Sequence, residues 1–385
     1  MPQRVAIVGV GQTTFRSISP DMSYKELMYE AAVKAYQDAG VNPRKDIDSF
    51  VSCAEDFLEG TSIFDEYVPD QLGAVLKPVH TICADGIFGV IAGYMQICTG
   101  AIEAVAVEAH SKASNLLTPN YCLAFAMDPI FNRPLRYNPY FIAGMEMNRY
   151  LWETGTTKEQ CALVSVINKR NALNNPNAAY GAKVTVDEVM NSERMFYPLS
   201  RLDMSSPADG AIVIVLASEE RARQLKGAPI WIKGVGWCSD APSLETRDWG
   251  EAAYARLAGE MAYKMAGIDI PRKEIALAEV DDTFSYKELQ HLEALKLCRK
   301  GEAGLLAEEG AMEKDGGMPV NLSGGSLGIG YLGEATGLAR VAELVLQLRG
   351  EAGGRQVPDA KVGLAQCWRG IPATSGAVLI LSKEG

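Results

Sequence analysis

Short apolar runs alternate along this chain with longer stretches in which apolar residues recur at helical spacing. Three of the runs, Val5–Gly9, Asp209–Leu216 and Ser375–Leu381, have the length and aliphatic composition of buried strands. Strands that alternate with helices predict mixed, mainly parallel sheets covered by helices. The pattern therefore predicts an α/β protein.

The same series of elements occurs twice, which indicates a divergent internal repeat. A strand that ends in Gly-x-Gly opens each half, at Val8–Gly11 and at Lys233–Gly236. A helix closed by glycine, a turn with proline and a strand follow in both halves, and each half ends in a buried strand. The remaining matched segments are Ala35–Ile47 with Ala262–Ile275, and Asp209–Leu216 with Ser375–Leu381.

The first half contains a long segment, residues 111–205, that the second half lacks. A long insertion in a compact enzyme usually covers a site. Its many aromatic residues are equally typical of packing inside a loop domain and of a subunit interface. We predict a first half of residues 1–110 with 206–222, an inserted loop domain of residues 111–205, and a second half of residues 223–385.

Composition and charge narrow the function classes. The formal net charge of −11 and the pI near 5.0 argue against nonspecific binding to nucleic acid or to an anionic membrane. The sequence contains no apolar stretch of the roughly 18 residues that a membrane span needs, and we expect a cytoplasmic protein. Its 8 cysteines include no Cys-x-x-Cys pair, so zinc-ligand spacing is absent and free thiols are expected.

Two of these cysteines stand at chemically suggestive positions, each at the end of an apolar run and before a glycine. Cys83 ends the predicted strand Val79–Cys83 and precedes the apolar helix predicted for Gly86–Ile97. At a helix N-terminus, unpaired N–H groups and the helix dipole lower the pKa of a thiol. Cys367 lies near the end of the second half. An isolated cysteine is more often buried packing, so both interpretations stay open.

Several motifs resemble the thiolase superfamily, and the resemblance extends over nearly the whole chain. The sterol-carrier-protein and archaeal branch is the most similar. The family implies two repeated βαβαβ halves in α/β/α/β/α layers, a loop domain, and a homodimer that can carry a small zinc-ribbon/OB-fold subunit. The matching segments are Cys83–Gly86, Asn171–Ala178, Pro198–Ala211, Asp281–Leu289 and Asn321–Gly337.

The resemblance implies carbon–carbon cleavage or formation in a coenzyme A thioester, with coenzyme A as a co-substrate and no permanently bound cofactor. By position, Cys83 would be the nucleophile, and Cys367 would exchange a proton with C2 of the substrate. Backbone N–H groups of Cys83 and of the Gly324–Gly330 turn would stabilise oxyanions. Gly370 is a further candidate donor, although the segment after Cys367 is longer than the usual turn.

Two departures from the family pattern affect the site directly. Tyr331 replaces the histidine that normally activates the nucleophile, and a phenol with a pKa near 10 is a poor base at neutral pH. Asp281 replaces an asparagine or histidine beside the developing enolate. Its carboxylate must hold a water, turn away or be protonated by burial, or else Asp281 and Asp282 only cap the next helix.

Other polar residues near these motifs are candidates for supporting roles. Glu288 matches a position that this branch often fills with glutamate. We expect it to contact the catalytic residues and not the substrate. His80 precedes Cys83 by three residues, but strand alternation predicts that it faces away. We expect a structural hydrogen bond there more readily than catalysis. His291, in a helix predicted for Lys287–Leu297, is expected at the surface.

Three functions remain compatible with the sequence. The first is a 3-ketoacyl-CoA thiolase for a bulky or aromatic acyl-CoA such as 2-benzoylsuccinyl-CoA, with Arg133 and Arg136 as candidate ligands of an additional carboxylate. The second is a retro-aldolase of a β-hydroxyacyl-CoA, because related lyases carry a tyrosine at the position of Tyr331. The third is a noncatalytic thiolase-like subunit, which the paired thiols Cys83 and Cys367 disfavour.

Overall fold

The structure is a computed structural model that describes residues 3–55, 63–225, 227–241, 243–371 and 374–385. The strands in these ranges are β1 Val5–Gln12, β2 Ser49–Cys53, β3 Val79–Ile82, β4 Ala104–Lys112, β5 Arg194–Phe196, β6 Leu199–Ser200, β7 Asp209–Ser218, β8 Ile230–Ser239, β9 Leu277–Glu279, β10 Val362–Arg369 and β11 Ser375–Ser382.

The helices are interspersed with the strands, as the periodicity predicts. They are α1 Tyr24–Ala39, α2 Pro43–Asp46, α3 Phe64–Tyr67, α4 Pro69–Leu72, α5 Gly86–Cys98, α6 Pro119–Phe125, α7 Phe141–Thr154, α8 Lys158–Ala172, α9 Val186–Met190, α10 Glu219–Gln224, α11 Ala253–Ala266, α12 Pro271–Glu274, α13 Ser285–Ala294, α14 Ala303–Glu308, α15 Gly325–Ile329 and α16 Thr336–Arg349. None of these helices combines the length and apolar character needed to cross a membrane.

The predicted repeat is confirmed by the strand order. Nine strands pair in the order β3-β2-β4-β7-β1-β8-β11-β10-β9, and the halves meet where β1 pairs with β8. In the first half β2 is parallel to β4, and β4 is antiparallel to β7. In the second half β9 and β10 are parallel, and β10 and β11 are antiparallel, in the same arrangement.

The two halves of this sheet and the helices that pack on them form five layers. The helices α5 and α16 contact strands of both halves and each other, so they form the central layer. The helices α1 and α11 cover the outer faces, on β1 and β8 respectively. Buried aliphatic side chains from both halves fill the space around α5 and α16. The predicted α/β/α/β/α arrangement is confirmed.

Paired glycines explain why the two Gly-x-Gly segments match. A Cβ on Gly9 or Gly11 would lie 2.5 Å or 2.2 Å from backbone oxygens of α1. On Gly234 or Gly236 it would lie 2.1 Å or 2.0 Å from backbone oxygens of α11. Each glycine pair therefore allows an outer helix to approach its strand closely.

The segment between β4 and β7 contains α6 to α9 and the strand pair β5–β6. It packs on the second half, where Ile142, Tyr150 and Val164 share one apolar cluster with Tyr254 and Leu289. The domain boundaries given above stay a prediction. This packing places the inserted segment beside the ends of β9 and β10, where the motif residues lie.

Candidate active site

Cys83 lies between β3 and α5 and is exposed, and its carbonyl oxygen accepts a hydrogen bond of 2.6 Å from Nη1 of Arg369. As predicted, the helix that follows Cys83 begins at Gly86. Asp85 is the N-cap of α5, and its carboxylate accepts the N–H of Ile87 at 2.9 Å. The carboxylate of Asp85 therefore lies at the positive end of the helix dipole, next to the Cys83 turn.

Asp85 connects the Cys83 turn to the other half of the molecule. Besides Ile87, the buried carboxylate accepts the N–H of Gly337 at the start of α16, at 2.9 Å. Burial raises the pKa of Asp85 to about 6. A single carboxylate therefore joins the Cys83 segment to the start of α16 in the other half.

Cys367 lies in β10 and is fully buried. Burial raises the pKa of its thiol well above the ordinary value, and the neighbouring charge of Asp85 raises it further. The thiol is therefore the stable form of Cys367, as a proton donor requires.

Asp281 and Asp282 follow β9 and are neutralised by protein groups. Asp281 accepts a hydrogen bond of 2.8 Å from Nη2 of Arg340, and its other oxygen accepts the N–H of Thr283. Asp282 accepts N–H groups of Ser326 and Leu327 at the start of α15. The pairing of Asp281 with a buried arginine was not among the options from the sequence. Asp282 does cap a helix, but the helix is α15 and not α13, the next one along the chain.

Glu288 is linked to this acidic pair by shared hydrogen-bond donors. Its Oε2 accepts hydrogen bonds of 2.6 Å from the side-chain amides of Asn168 and Asn321. Burial and the nearby carboxylate of Asp282 raise the pKa of Glu288 to about 8. Asn168 also donates to Asp282 at 2.9 Å, so Glu288 supports the acidic pair through shared amides.

The prediction that His291 is a surface residue is wrong. His291 is fully buried in α13, where Nδ1 donates to the carbonyl oxygen of Asp281 at 2.9 Å and Nε2 accepts from the hydroxyl of Tyr254 at 2.8 Å. Burial and the nearby Lys287 lower the pKa of His291 to about 3. The helix pattern alone does not reveal this, because α13 is buried on every face.

We expect replacement of His291 by glutamine to flatten the dependence of stability on pH. A histidine whose folded pKa is depressed contributes stability that is present above its unfolded pKa of 6.5 and is lost as the pH falls. One such group adds a slope of up to about 1.4 kcal/mol per pH unit below that value. Denaturant unfolding on both sides of the unfolded pKa measures it. His80→Gln is the exposed control, and an equal slope in wild type and His291→Gln would contradict the assignment.

A cavity of about 720 Å³ opens beside these groups, between the inserted segment and the ends of β8, β10 and β11. Tyr331 and Gly370 line it, whereas Cys83, Cys367, Asp281 and Glu288 do not. His80 is exposed on the edge strand β3 and has no place in the lining. Most of the lining is apolar, and its charged members among the described residues are Glu55, Arg201, Asp240, Glu334 and Arg369.

Tyr331 is held by its backbone between the two halves. Its N–H donates to the carbonyl of Ser206 at 2.8 Å, and its carbonyl accepts the N–H of Ala208 at 2.9 Å. Burial of the hydroxyl and the carboxylate of Glu334 raise the pKa of Tyr331 well above its usual range. The phenol is therefore a hydrogen-bond donor at the cavity wall and is no candidate base near neutral pH.

The arginines near the cavity differ from those predicted. Arg133 donates to the carbonyls of Phe125 and Met127, so it stabilises its own loop, and neither Arg133 nor Arg136 lines the cavity. Arg201 and Arg369 do. Arg369 forms an ion pair with Glu55, whereas no carboxylate of the described residues forms an ion pair with Arg201. Arg133 does not reach the cavity because its guanidinium is bonded to backbone carbonyls of its own loop.

Sequence reasoning missed the connecting residues of the site. Asp85 stands inside the Cys83–Gly86 motif and has the usual N-cap signature of an aspartate before a helix. Arg340 and Arg369 have no comparable local signal, because their partners come from distant parts of the chain. The buried acidic pair at Asp281 and Asp282 was itself the available hint that a buried cation must face it.

Comparison with known proteins agrees with this architecture. Residues 238–383 match the family model described as thiolase C-terminal domain-like. An acetyl-CoA acetyltransferase of Methanothermobacter thermautotrophicus is 35% identical over 98% of this chain and 99% of its own length. Sterol carrier protein 2 of Oryctolagus cuniculus is 30% identical over 99% of this chain and 72% of its own length.

Among solved structures, the one described as the Ltp2-ChsH2(DUF35) aldolase superposes with a TM-score of 0.84 at 28% identity. The match covers 99% of this chain and 98% of that one. Similarity over 99% of the acetyltransferase and 72% of sterol carrier protein 2 shows the family directly. The chain belongs to the thiolase superfamily of acyltransferase enzymes, in the branch of archaeal and sterol-carrier-protein thiolases.

Proposed function

We propose that this protein is a 3-ketoacyl-CoA thiolase that cleaves a carbon–carbon bond through an acyl-cysteine intermediate. The observation that carries the proposal is a contact between the two cysteine segments, one from each half. Arg369 ends β10, two residues after Cys367, and its Nη1 donates a hydrogen bond of 2.6 Å to the carbonyl oxygen of Cys83.

In the proposed reaction, the thiolate of Cys83 attacks the 3-keto carbon of the substrate. The bond between C2 and C3 breaks, and the C2 carbanion takes the proton of the Cys367 thiol. The thiol of coenzyme A then gives its proton to Cys367 and attacks the acyl-Cys83 thioester, which releases Cys83. The reaction consumes one coenzyme A and forms two thioesters.

Oxyanions formed in these steps require fixed hydrogen-bond donors. Tyr331 is the donor that we assign to this role at the cavity wall, in place of the family's histidine. Gly370 lines the same cavity and stays a candidate backbone donor. Asp281 serves as a partner that orients Arg340, because both of its oxygens are already bonded within the protein.

We expect Tyr331→Phe to lower kcat/KM for cleavage by about 10²-fold, because removal of one oxyanion donor has effects of that order. Steady-state kinetics measure it. Tyr180→Phe is the matched control, since the hydroxyl of Tyr180 donates to the backbone carbonyl of Pro207 and lies outside the cavity lining. An unchanged kcat/KM in Tyr331→Phe would remove this hydroxyl from the mechanism.

The finer substrate proposal is a bulky or aromatic acyl-CoA with an additional carboxylate, such as 2-benzoylsuccinyl-CoA. The volume and apolar lining of the cavity support the bulky group. Arg201 supports the carboxylate, because this residue lines the cavity and forms no ion pair with a carboxylate of the described residues. Rates for 2-benzoylsuccinyl-CoA and for an analogue without the carboxylate test this point, and equal rates would contradict it.

A retro-aldolase of a β-hydroxyacyl-CoA is the second candidate. Two observations favour it: Tyr331 replaces the usual histidine in the cavity wall, and the solved aldolase shares the fold of this chain at a TM-score of 0.84. Such a reaction needs no acyl-cysteine and consumes no coenzyme A. The preserved pair of thiols favours the thiolase.

The assembly is also part of the proposal. We propose a cytoplasmic homodimer that uses coenzyme A as a co-substrate and can bind a small zinc-ribbon/OB-fold subunit. The name of the solved aldolase, which joins Ltp2 to ChsH2(DUF35), supports an accessory subunit. Size measurement by light scattering tests the dimer, and a monomer at all concentrations would contradict it.

Product analysis separates the candidate functions. We expect incubation with a 3-ketoacyl-CoA and free coenzyme A to yield two acyl-CoA thioesters, with one coenzyme A consumed for each bond cleaved. Cleavage of a β-hydroxyacyl-CoA to one thioester and a carbonyl compound, without consumption of coenzyme A, would favour the aldolase. Inactivity on both classes would support the noncatalytic subunit.

A further inference from the structure

Three aromatic side chains from distant parts of the chain meet in the wall of the cavity. Tyr140 of the inserted segment, Phe284 after β9 and Trp368 in β10 all line it. The ring centroids of Tyr140 and Phe284 lie 6.3 Å apart and those of Phe284 and Trp368 lie 6.0 Å apart, both pairs edge to face. We propose that these three residues, the aromatic wall, determine specificity by selecting an acyl-CoA whose acyl group carries an aromatic ring. The inference rests on the proposed function and deepens it, because it distinguishes an aromatic acyl group from one that is only bulky.

Strand alternation explains why Trp368 reaches the cavity although Cys367 does not. Successive side chains of a strand point to opposite faces of the sheet. Cys367 packs in the apolar cluster around α5 and α16, whereas Trp368 packs in the cluster that the inserted segment shares with the second half. The ring of Trp368 therefore lies on the side of the inserted segment, directly after the residue assigned to proton transfer.

A buried ammonium group holds the Trp368 ring in place. Nζ of Lys287 lies 4.2 Å from the centroid of this ring, within the range of a cation–π interaction. The ammonium is itself fixed, since it donates hydrogen bonds of 2.8 Å to Oε1 of Glu146 and to Oε1 of Gln290. The indole N–H of Trp368 donates to Oγ1 of Thr374 at 2.5 Å. Contacts to the ring and to its N–H thus fix the orientation of this part of the wall.

Rings held in fixed orientations can distinguish an aromatic ligand from a saturated one. Aromatic rings have negative faces and positive edges, so a ligand ring gains affinity from edge-to-face or offset contacts beyond the area it buries. A saturated ring of similar size buries a similar area but has no such charge distribution. Phe284 and Trp368 are 1% and 5% exposed, whereas Tyr140 is half-buried. Tyr140 is therefore the most accessible member of the wall.

Binding of two unreactive thioethers tests the inference without turnover. S-benzyl-coenzyme A and S-(cyclohexylmethyl)-coenzyme A carry rings of similar size, and both lack the thioester carbonyl that Cys83 could attack. Isothermal titration calorimetry gives the Kd of each, and the preference is the ratio of the cyclohexylmethyl Kd to the benzyl Kd. We expect Tyr140→Leu to lower this preference about fivefold relative to wild type, because one aromatic pair contributes affinity of that order. Tyr140→Phe retains the ring and should retain the wild-type preference.

Two further positions test whether the effect belongs to the wall. Trp368→Leu should lower the preference to a similar extent, and Trp368→Phe should restore most of it. Tyr137→Leu is the matched control, because Tyr137 also lies in the inserted segment and packs edge to face on Phe141 at 5.2 Å, but does not line the cavity. It should leave the preference unchanged. Tyr140→Leu alters a half-buried side chain, so it decides the question even if Trp368→Leu does not fold.

An unchanged preference in Tyr140→Leu, or a wild type that binds neither thioether, would overturn the inference even if the enzyme cleaves ketoacyl-CoA. A lowered preference in Tyr140→Leu, together with a wild type that cleaves no ketoacyl-CoA, would instead overturn the proposed function. The aromatic wall would then remain as a surface that binds the acyl group. The two failures are therefore distinguishable.

Discussion

Replacement of Cys83 by alanine should lower kcat/KM for ketoacyl-CoA cleavage by about 10⁴-fold or more, while the protein stays folded. The size of the effect follows from the loss of the atom that forms the covalent intermediate. Because Cys83 is exposed and lies outside the apolar cores, its removal should change the free energy of unfolding little. Steady-state kinetics and denaturant unfolding measure both quantities.

Cys98→Ala is the matched control, because Cys98 is the last residue of α5 and so lies at the opposite end of that helix from Cys83. It should retain the wild-type rate within a few-fold. If Cys83→Ala cleaved its substrate at a rate within about tenfold of the wild type, covalent catalysis would be excluded. The aldolase mechanism would then be the better account.

Replacement of Arg340 by methionine should produce the largest loss of stability among the variants considered, about 3–5 kcal/mol. Arg340 is buried and faces Asp281 at 2.8 Å and Asp282 at 3.6 Å. Without the guanidinium, two buried carboxylates would remain without their cation, and an unpaired buried charge is strongly unfavourable. Denaturant unfolding near neutral pH measures the loss.

Lys361→Met provides the surface comparison, since Lys361 and Glu384 form an exposed ion pair. Exposed pairs contribute at most about 1 kcal/mol, so the control should lie close to wild type. A loss of less than about 1 kcal/mol in Arg340→Met would show that water or protonation neutralises Asp281 and Asp282. The assignment of Asp281 to a structural ion pair would then be wrong.

The fold follows from the sequence because its determinants are local and occur twice. The pairs Gly9 with Gly11 and Gly234 with Gly236 are visible as a repeated motif, and the structure shows that both serve close helix packing. The strand order of the two halves repeats for the same reason. Periodicity and repetition carry this information without reference to distant contacts.

The arrangement of polar groups was predicted less well, because it depends on contacts between distant segments. Asp281 meets Arg340, and Cys83 meets Arg369, across separations that no spacing rule connects. His291 was misplaced because α13 carries polar residues that are typical of a solvent-exposed helix, whereas the structure buries Lys287, Glu288 and Gln290 together with His291. Tyr331 was identified from its motif, whereas its position in a cavity wall required the structure.

The most direct test of the account is the intact mass of the protein after incubation with a panel of 3-ketoacyl-CoAs in the absence of free coenzyme A. The panel should include 2-benzoylsuccinyl-CoA. The account predicts a stable mass increase equal to one acyl group in the wild type and none in Cys83→Ala. Absence of an adduct with every substrate, combined with cleavage of a β-hydroxyacyl-CoA, would contradict it.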